Sequence, residues 1–135
     1  MSTHSNISVK TEKGYETIYC HFNGYPSYMY PLLRDWYGTE ERAKALVALG
    51  DASSIDKRLV PSQDSGHSFN HPEADVCVFY HRDRGEPWED NAPAIYTKED
   101  AVRCYNSYIF EDGAWHIYIA GEERISRYGL SDFDD

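Results

Sequence analysis

Apolar and polar positions alternate from the start of the chain. Ile7, Val9 and Thr11 are interleaved with polar residues, and Glu12-Lys13-Gly14 offers a turn. Alternation then resumes from Tyr15 to Phe22, which predicts a β-hairpin. In its second strand Ile18, Cys20 and Phe22 share one face, the expected core side, while Thr17, Tyr19 and His21 share the other. After Asn23-Gly24 the period lengthens. Tyr30, Leu33 and Tyr37, flanked by Met29, Leu32 and Trp36, predict a helix over 27–37 with Pro31 in its first turn and Gly38 just past its end. A second helix follows, capped by Thr39, with Glu40 and Glu41 in its first turn. Its apolar stripe is Ala43, Leu46, Val47 and Leu49, and Gly50 ends it.

From Asp51 to Asp75 the periodicity is lost. This segment reads as a long loop anchored by Leu59, Val60 and Phe69. Val76 to His81 is a continuous apolar run, expected to form a central strand, and Arg82 to Pro93 is a charged loop around Trp88. Thr97 caps a helix expected from Lys98 to about Tyr105, with Asp100 completing a capping-box-like pair and Ala101, Val102 and Tyr105 facing inward. Tyr108, Phe110, Trp115, Ile117 and Ile119 flank Glu111-Asp112-Gly113, a strong hairpin signal. The tail from Glu122 carries one further expected element around Ile125 and Tyr128, then the solvated acids Asp132, Asp134 and Asp135. The order β-β-α-α-loop-β-α-β-β predicts one α+β domain over 1–135. Its sheet is expected to be mostly antiparallel, of four to five strands, with two to three helices on one face.

Charge changes this picture more than any motif. Aspartate and glutamate outnumber lysine and arginine 23 to 13, and nearly all of the excess falls after His67. Such a half repels nucleic acid phosphates and attracts basic protein surfaces. The first residues have no apolar leader segment and no stretch is long enough to span a bilayer, so the expected location is the cytosol, without membrane contact. Cys20, Cys77 and Cys104 are widely spaced and form no CxxC pair, which suits buried reduced thiols. The 12 tyrosines suit the margin of a small core or an interface, and a twofold dimer through the tyrosine-rich helix is an alternative to a monomer.

Catalytic signatures are weak. His67, His71, Cys77 and His81 could be drawn as a zinc set, but two would lie in a proline-bearing loop and two on a strand, so no metal or cofactor is expected. Cys20 and His21 point to opposite faces of a strand. Cys77 and His81 would lie about 13 Å apart on one, so neither pair makes an activated thiolate. The sequence also lacks GxSxG, P-loop, GxGxxG and HExxH patterns, and no catalytic residue is assigned. His81-Arg82-Asp83 matches the HRD of protein kinases by accident, since no Asn follows at the required spacing and no DFG occurs.

Two constellations remain. Asp83, Glu86, Trp88, Glu89, Asp90, Glu111 and Asp112 would make an acidic partner-binding face with an aromatic anchor. Tyr19, His21, Tyr25, His81, Arg82 and Arg84 would make a pocket for a nucleotide-like ligand, the two arginines gripping an anion.

Three segments carry a resemblance: Tyr19, His21, Asn23, Gly24, Tyr25 and Pro26; then Gly50, Asp51, Ser53 and Ser54; then Tyr80, Arg82, Asp83, Arg84, Gly85 and Glu86. In them the chain resembles a group of small accessory proteins of bacteriophages and prophages, over roughly residues 16 to 86. The resemblance implies a phage-related origin and brings no established activity. Proteins of this size in such genomes often inhibit host defence, as anti-CRISPR and anti-restriction proteins do. The expectation is thus a non-enzymatic acidic protein that blocks a host nucleic-acid-handling complex by protein contact. The alternative is a small-ligand binder or unusual nucleotide-acting enzyme built on the GYP turn and the RDRGE loop.

Overall fold

In the computed structural model, residues 3–124 are described. The first hairpin forms as its alternation predicts, from β1 (Ser5–Thr11) and β2 (Gly14–Cys20), paired antiparallel from Ser5↔Cys20 to Thr11↔Gly14. Helix α1 (Pro26–Trp36) starts at Pro26, whose fixed φ suits a first helical position. Pro31 therefore lies inside α1 and not in its first turn. The carbonyl it leaves without a donor is that of Ser27, which is partly exposed, so the interruption costs little. Helix α2 (Glu40–Val47) is capped by Thr39, whose hydroxyl accepts from the Arg42 amide at 3.2 Å.

The long loop begins with a short strand, β3 (Ala52–Ser54). Leu59 anchors the rest, whereas Val60, expected beside it, is exposed. The apolar run at 76–81 is not a central strand. Only β4 (Val78–Phe79) is extended, it lies at the edge of the sheet, and the chain turns at once into α3 (Tyr80–Arg84). The reason is local: the Asp83 carboxylate, inside the helix, reaches back to accept from the Phe79 amide at 2.8 Å in the manner of half a capping box, and Gly85 closes the helix with left-handed φ.

Two short elements follow that periodicity does not announce, α4 (Trp88–Asn91) and β5 (Ala94–Tyr96), the latter paired antiparallel with the first half of β2. Helix α5 (Lys98–Ala101) is shorter than expected. Tyr105 lies beyond it, 68% exposed, and Asp100 pairs with Arg103 while its amide donates to Thr97. The final hairpin, β6 (Asn106–Glu111) and β7 (Ala114–Ile119), turns at Asp112-Gly113 with both φ positive, and β8 (Glu122–Arg124) pairs with β7. The expected element around Ile125 and Tyr128 and the acids after it lie outside the described residues.

The α+β class holds, but the sheet is mixed and has eight strands in the order β4-β3-β2-β1-β6-β7-β8, with β5 also on β2. β1 runs parallel to β6, and β2 parallel to β3. Helices α1 and α2 cover one face, where Ile7, Val9, Ile18, Leu33, Leu46 and Ile117 form the main core. Hydrogen bonds from Tyr108 to the Gly24 carbonyl (2.7 Å) and from the Trp115 indole to the Tyr37 carbonyl (2.8 Å) tie both ends of α1 to the last hairpin. The opposite face is only partly covered. There Ala101 of α5 packs on Ile109 and Tyr118, and the polar side chains of Asn6, Thr17 and Tyr19 lie alongside.

Candidate functional site

The three motif segments meet. Cys20, Ala52 and Phe79 stand in register across β2, β3 and β4, so the residues that alternate with them come together on the other side. The His21 and Phe22 amides donate to the Ala52 and Ser53 carbonyls at 3.0 and 2.9 Å. The Tyr80 amide donates to the Asp51 carbonyl at 3.2 Å. Gly24 and Gly50 show why glycine stands in two of these segments. A Cβ on Gly24 would come within 2.7 Å of Ser5 Cβ, and one on Gly50, already at φ +85°, would lie 2.4 Å from the Asn91 carbonyl oxygen.

This convergence has a closed side and an open side. The closed side is built on Asp83, whose side chain is only 5% exposed. Besides the Phe79 amide it accepts from Arg82 Nε at 2.9 Å, and His67 Nε2 lies 3.3 Å from its Oδ1 without hydrogen-bond alignment. His67 Nδ1 accepts from the Glu73 amide at 2.9 Å, which places the neutral ring's proton on Nε2, toward Asp83. Burial pushes the Asp83 carboxyl up, but the Arg82 guanidinium and the Phe79 amide outweigh it and hold the group below its ordinary value. Arg82 Nη2 also donates to Asp83 Oδ2 at 3.0 Å and to the Cys77 carbonyl at 2.8 Å, and Nη1 donates to the Leu59 carbonyl. Arg84 stacks over Phe69 and contacts Glu86. Asp83 and the two arginines thus fasten the long loop.

Asp83 is therefore not on an acidic face, since its carboxylate points inward. Arg82 has no free donor edge for an anion. Tyr25 packs on Tyr28 at the start of α1, and His81 faces Trp88 and bonds the Glu86 carbonyl, so neither joins Tyr19 and His21. Glu111 is also withdrawn: its side chain is 12% exposed and held by Lys10, Lys98 and Tyr15. It lies at the Lys10–Tyr15 level of the hairpin, four residues or about 13 Å along β2 from Tyr19, and Asp112 lies beyond it. The acidic set divides, leaving Glu86, Trp88, Glu89 and Asp90 together around α4.

The open side lies on the less covered sheet face. The edge of β2 is paired with β5 up to Thr17 and with β3 from Cys20, and Asp51 fills the gap by accepting the Tyr19 amide on Oδ1 at 2.9 Å. A cavity of about 240 Å³ opens there, bordered by Tyr19, Asp51, Asp90 and Tyr96. Asn6 and Tyr96 also border a second cavity of about 470 Å³, lined by His4, Cys104 and Tyr105. Burial raises the Asp51 carboxyl, opposed only by the Tyr19 amide. Tyr19 shares a 2.7 Å hydrogen bond with His21 Nδ1. Asp51 and Tyr80 stand in the motif segments, yet no sequence signal marks them as site residues.

Burial pushes the Cys20 thiol up to about 12 and raises Cys77 and Cys104 as well, so none is an activated thiolate. Among the described residues no three His, Cys, Asp or Glu side chains converge as metal ligands: His67 turns to Asp83, and Cys77 to Tyr37 and Asp56. No described helix is long and apolar enough to cross a membrane. No family model, curated protein or solved structure matches the chain.

Proposed function

We propose that this chain is a non-enzymatic, phage-type acidic binding protein that inhibits a host defence or nucleic-acid-handling complex, of the kind anti-CRISPR and anti-restriction proteins target, by covering a basic protein surface. The observation that carries the reading is the grouping at α4. Glu89 and Asp90 are exposed beside the half-exposed Trp88, with Glu86 adjacent and the exposed Tyr96 next along the cleft. An aromatic anchor ringed by carboxylates is the arrangement that steers and holds a basic partner. The chain's net charge of −10 extends the same field and disfavours direct contact with nucleic acid.

The test is capture from bacterial lysate carrying active defence systems, identification of the bound protein, and measurement of its affinity at low and high salt. Binding is expected to weaken as salt rises and to fall at least about tenfold in the Glu86→Lys, Glu89→Lys, Asp90→Lys triple variant. Unchanged affinity in that variant would sink the acidic-face reading.

A further inference from the structure

The less covered sheet face carries a histidine whose hydrogen bonds fix how many protons it needs. His116 of β7 places Nδ1 2.8 Å from Glu123 Oε2 on β8 and Nε2 3.0 Å from the Glu111 carbonyl oxygen on β6. Both partners are acceptors, one a carboxylate and the other a peptide carbonyl. A neutral imidazole donates from one nitrogen only and would turn its other lone pair toward an oxygen, whereas a ring protonated on both nitrogens satisfies both contacts. His67 shows the opposite demand in the same chain. Its Nδ1 accepts from the Glu73 amide, which leaves a proton for Nε2 alone.

β8 has the most to lose from this contact. It is the outermost strand on its side of the sheet, its three residues are all exposed, and it pairs with β7 from Ile117↔Arg124 to Ile119↔Glu122. A strand so short, with so little buried area, opens locally at small cost. The charged and titratable groups around the ring come from four elements and a turn. Glu123 lies on β8, and Tyr118 of β7 reaches it through its hydroxyl at 3.4 Å. Glu111 of β6 turns its carboxylate to Lys10 of β1 and Lys98 of α5, and Lys98 also lies over the Tyr118 ring. Asp112 stands in the β6–β7 turn, and Glu122 and Arg124 alternate with Glu123 and so project from the other side of β8. Among the described residues, His116 is therefore the one cation that meets Glu123.

We infer that His116 is a proton-operated latch: with both ring nitrogens protonated it ties β8 to the β6–β7 hairpin, and loss of one proton releases β8 and uncovers the edge of β7. Docked β8 holds one proton more than released β8. Docking is thus favoured on the acid side of histidine's titration, over the range where carboxylates stay ionised, and is lost as pH rises through that titration. Release leaves the amides and carbonyls along β7 open to pairing with another strand.

The experiment follows the full chain by NMR from about pH 5.5 to about pH 8.5, reading the protonation of the His116 ring nitrogens and the amide-exchange protection of residues 122–124 relative to the unstructured rate at each pH. Both nitrogens are expected to carry protons wherever β8 is docked. As the second proton leaves, protection of β8 is expected to fall several-fold while that of β1 and β6 is unchanged. His116→Gln, which lacks the second ring donor, is expected to abolish this fall, and His71→Gln in the exposed loop to retain it. If β8 never docks in His116→Gln, Glu123→Gln, which keeps an acceptor oxygen without the charge, is expected to shrink the response. A singly protonated ring beside docked β8, protection that does not fall with rising pH, the same fall in His116→Gln, or an undiminished response in Glu123→Gln would each overturn the latch.

Discussion

Asp83, in α3 just after β4, and Asp51, just before the neighbouring β3, meet opposite fates. Asp83 accepts from a backbone amide and a guanidinium, and a nearly buried histidine ring stands 3.3 Å away. Asp51 is half-buried with one amide and an open cleft. The first arrangement holds a structure together, and the second leaves capacity for something to bind. Charge on its own distinguishes neither; the donors within reach do.

Breaking the closed side should have the largest effect. Asp83→Ala leaves the Phe79 amide and Arg82 without their shared acceptor. It is expected to cost about 3 kcal/mol in urea denaturation and to make the 59–76 loop readily cleaved by protease. Retained stability would mean that the loop is fastened elsewhere.

An intermediate effect concerns pH, where the two carboxylates have opposite signs. Asp83 titrates below its ordinary 3.8 in the fold, so its stabilisation is present above that value and lost as pH falls through the folded pKa. Asp51 titrates above 3.8, so the fold binds its proton more tightly than the unfolded chain does. Stability is then lost as pH rises through that folded pKa. Asp51→Asn is expected to be more stable than the parent chain at neutral pH and to lose that advantage below about pH 3.8, read from denaturation curves across pH. A destabilised Asn variant at neutral pH would show that the carboxylate is already compensated.

The smallest effect belongs to the rim. Arg84 is exposed, stacked on Phe69 and loosely paired with Glu86, so Arg84→Ala is expected to cost less than about 1 kcal/mol in the same assay.

How much of this could be read in advance follows from where each element gets its instructions. Both hairpins carry their own period and turn residues, α1 its helical period and an N-terminal proline, and α2 its period and the Thr39 cap, so they were legible. β3, β5 and β8 are three residues each and exist because a neighbouring strand presents an edge, which no local pattern records. Val76 to His81 has the composition of an inner strand, yet a carboxylate four residues past Phe79 captures that residue's amide and turns the chain into a helix. At the site, the motif segments were legible as segments. Their convergence needed the parallel register of Cys20 with Ala52. Acidic residues looked equivalent in a sequence, but burial and nearby cations took Asp83 and Glu111 out of the accessible set and left Asp51, present in a motif segment but not marked as a site residue, facing the cleft.

The parallel pairing of β1 with β6, Asn6 beside Ser107, also bears on how the chain is made. The first hairpin leaves the ribosome long before its inner neighbour is synthesised, and it must wait with one strand edge unclaimed while some eighty residues emerge behind it. Completion of the sheet is thus a later event that joins the first hairpin to a strand made some eighty residues after it, and the interval before that closure is when the nascent chain is most open to pairing with another copy of itself.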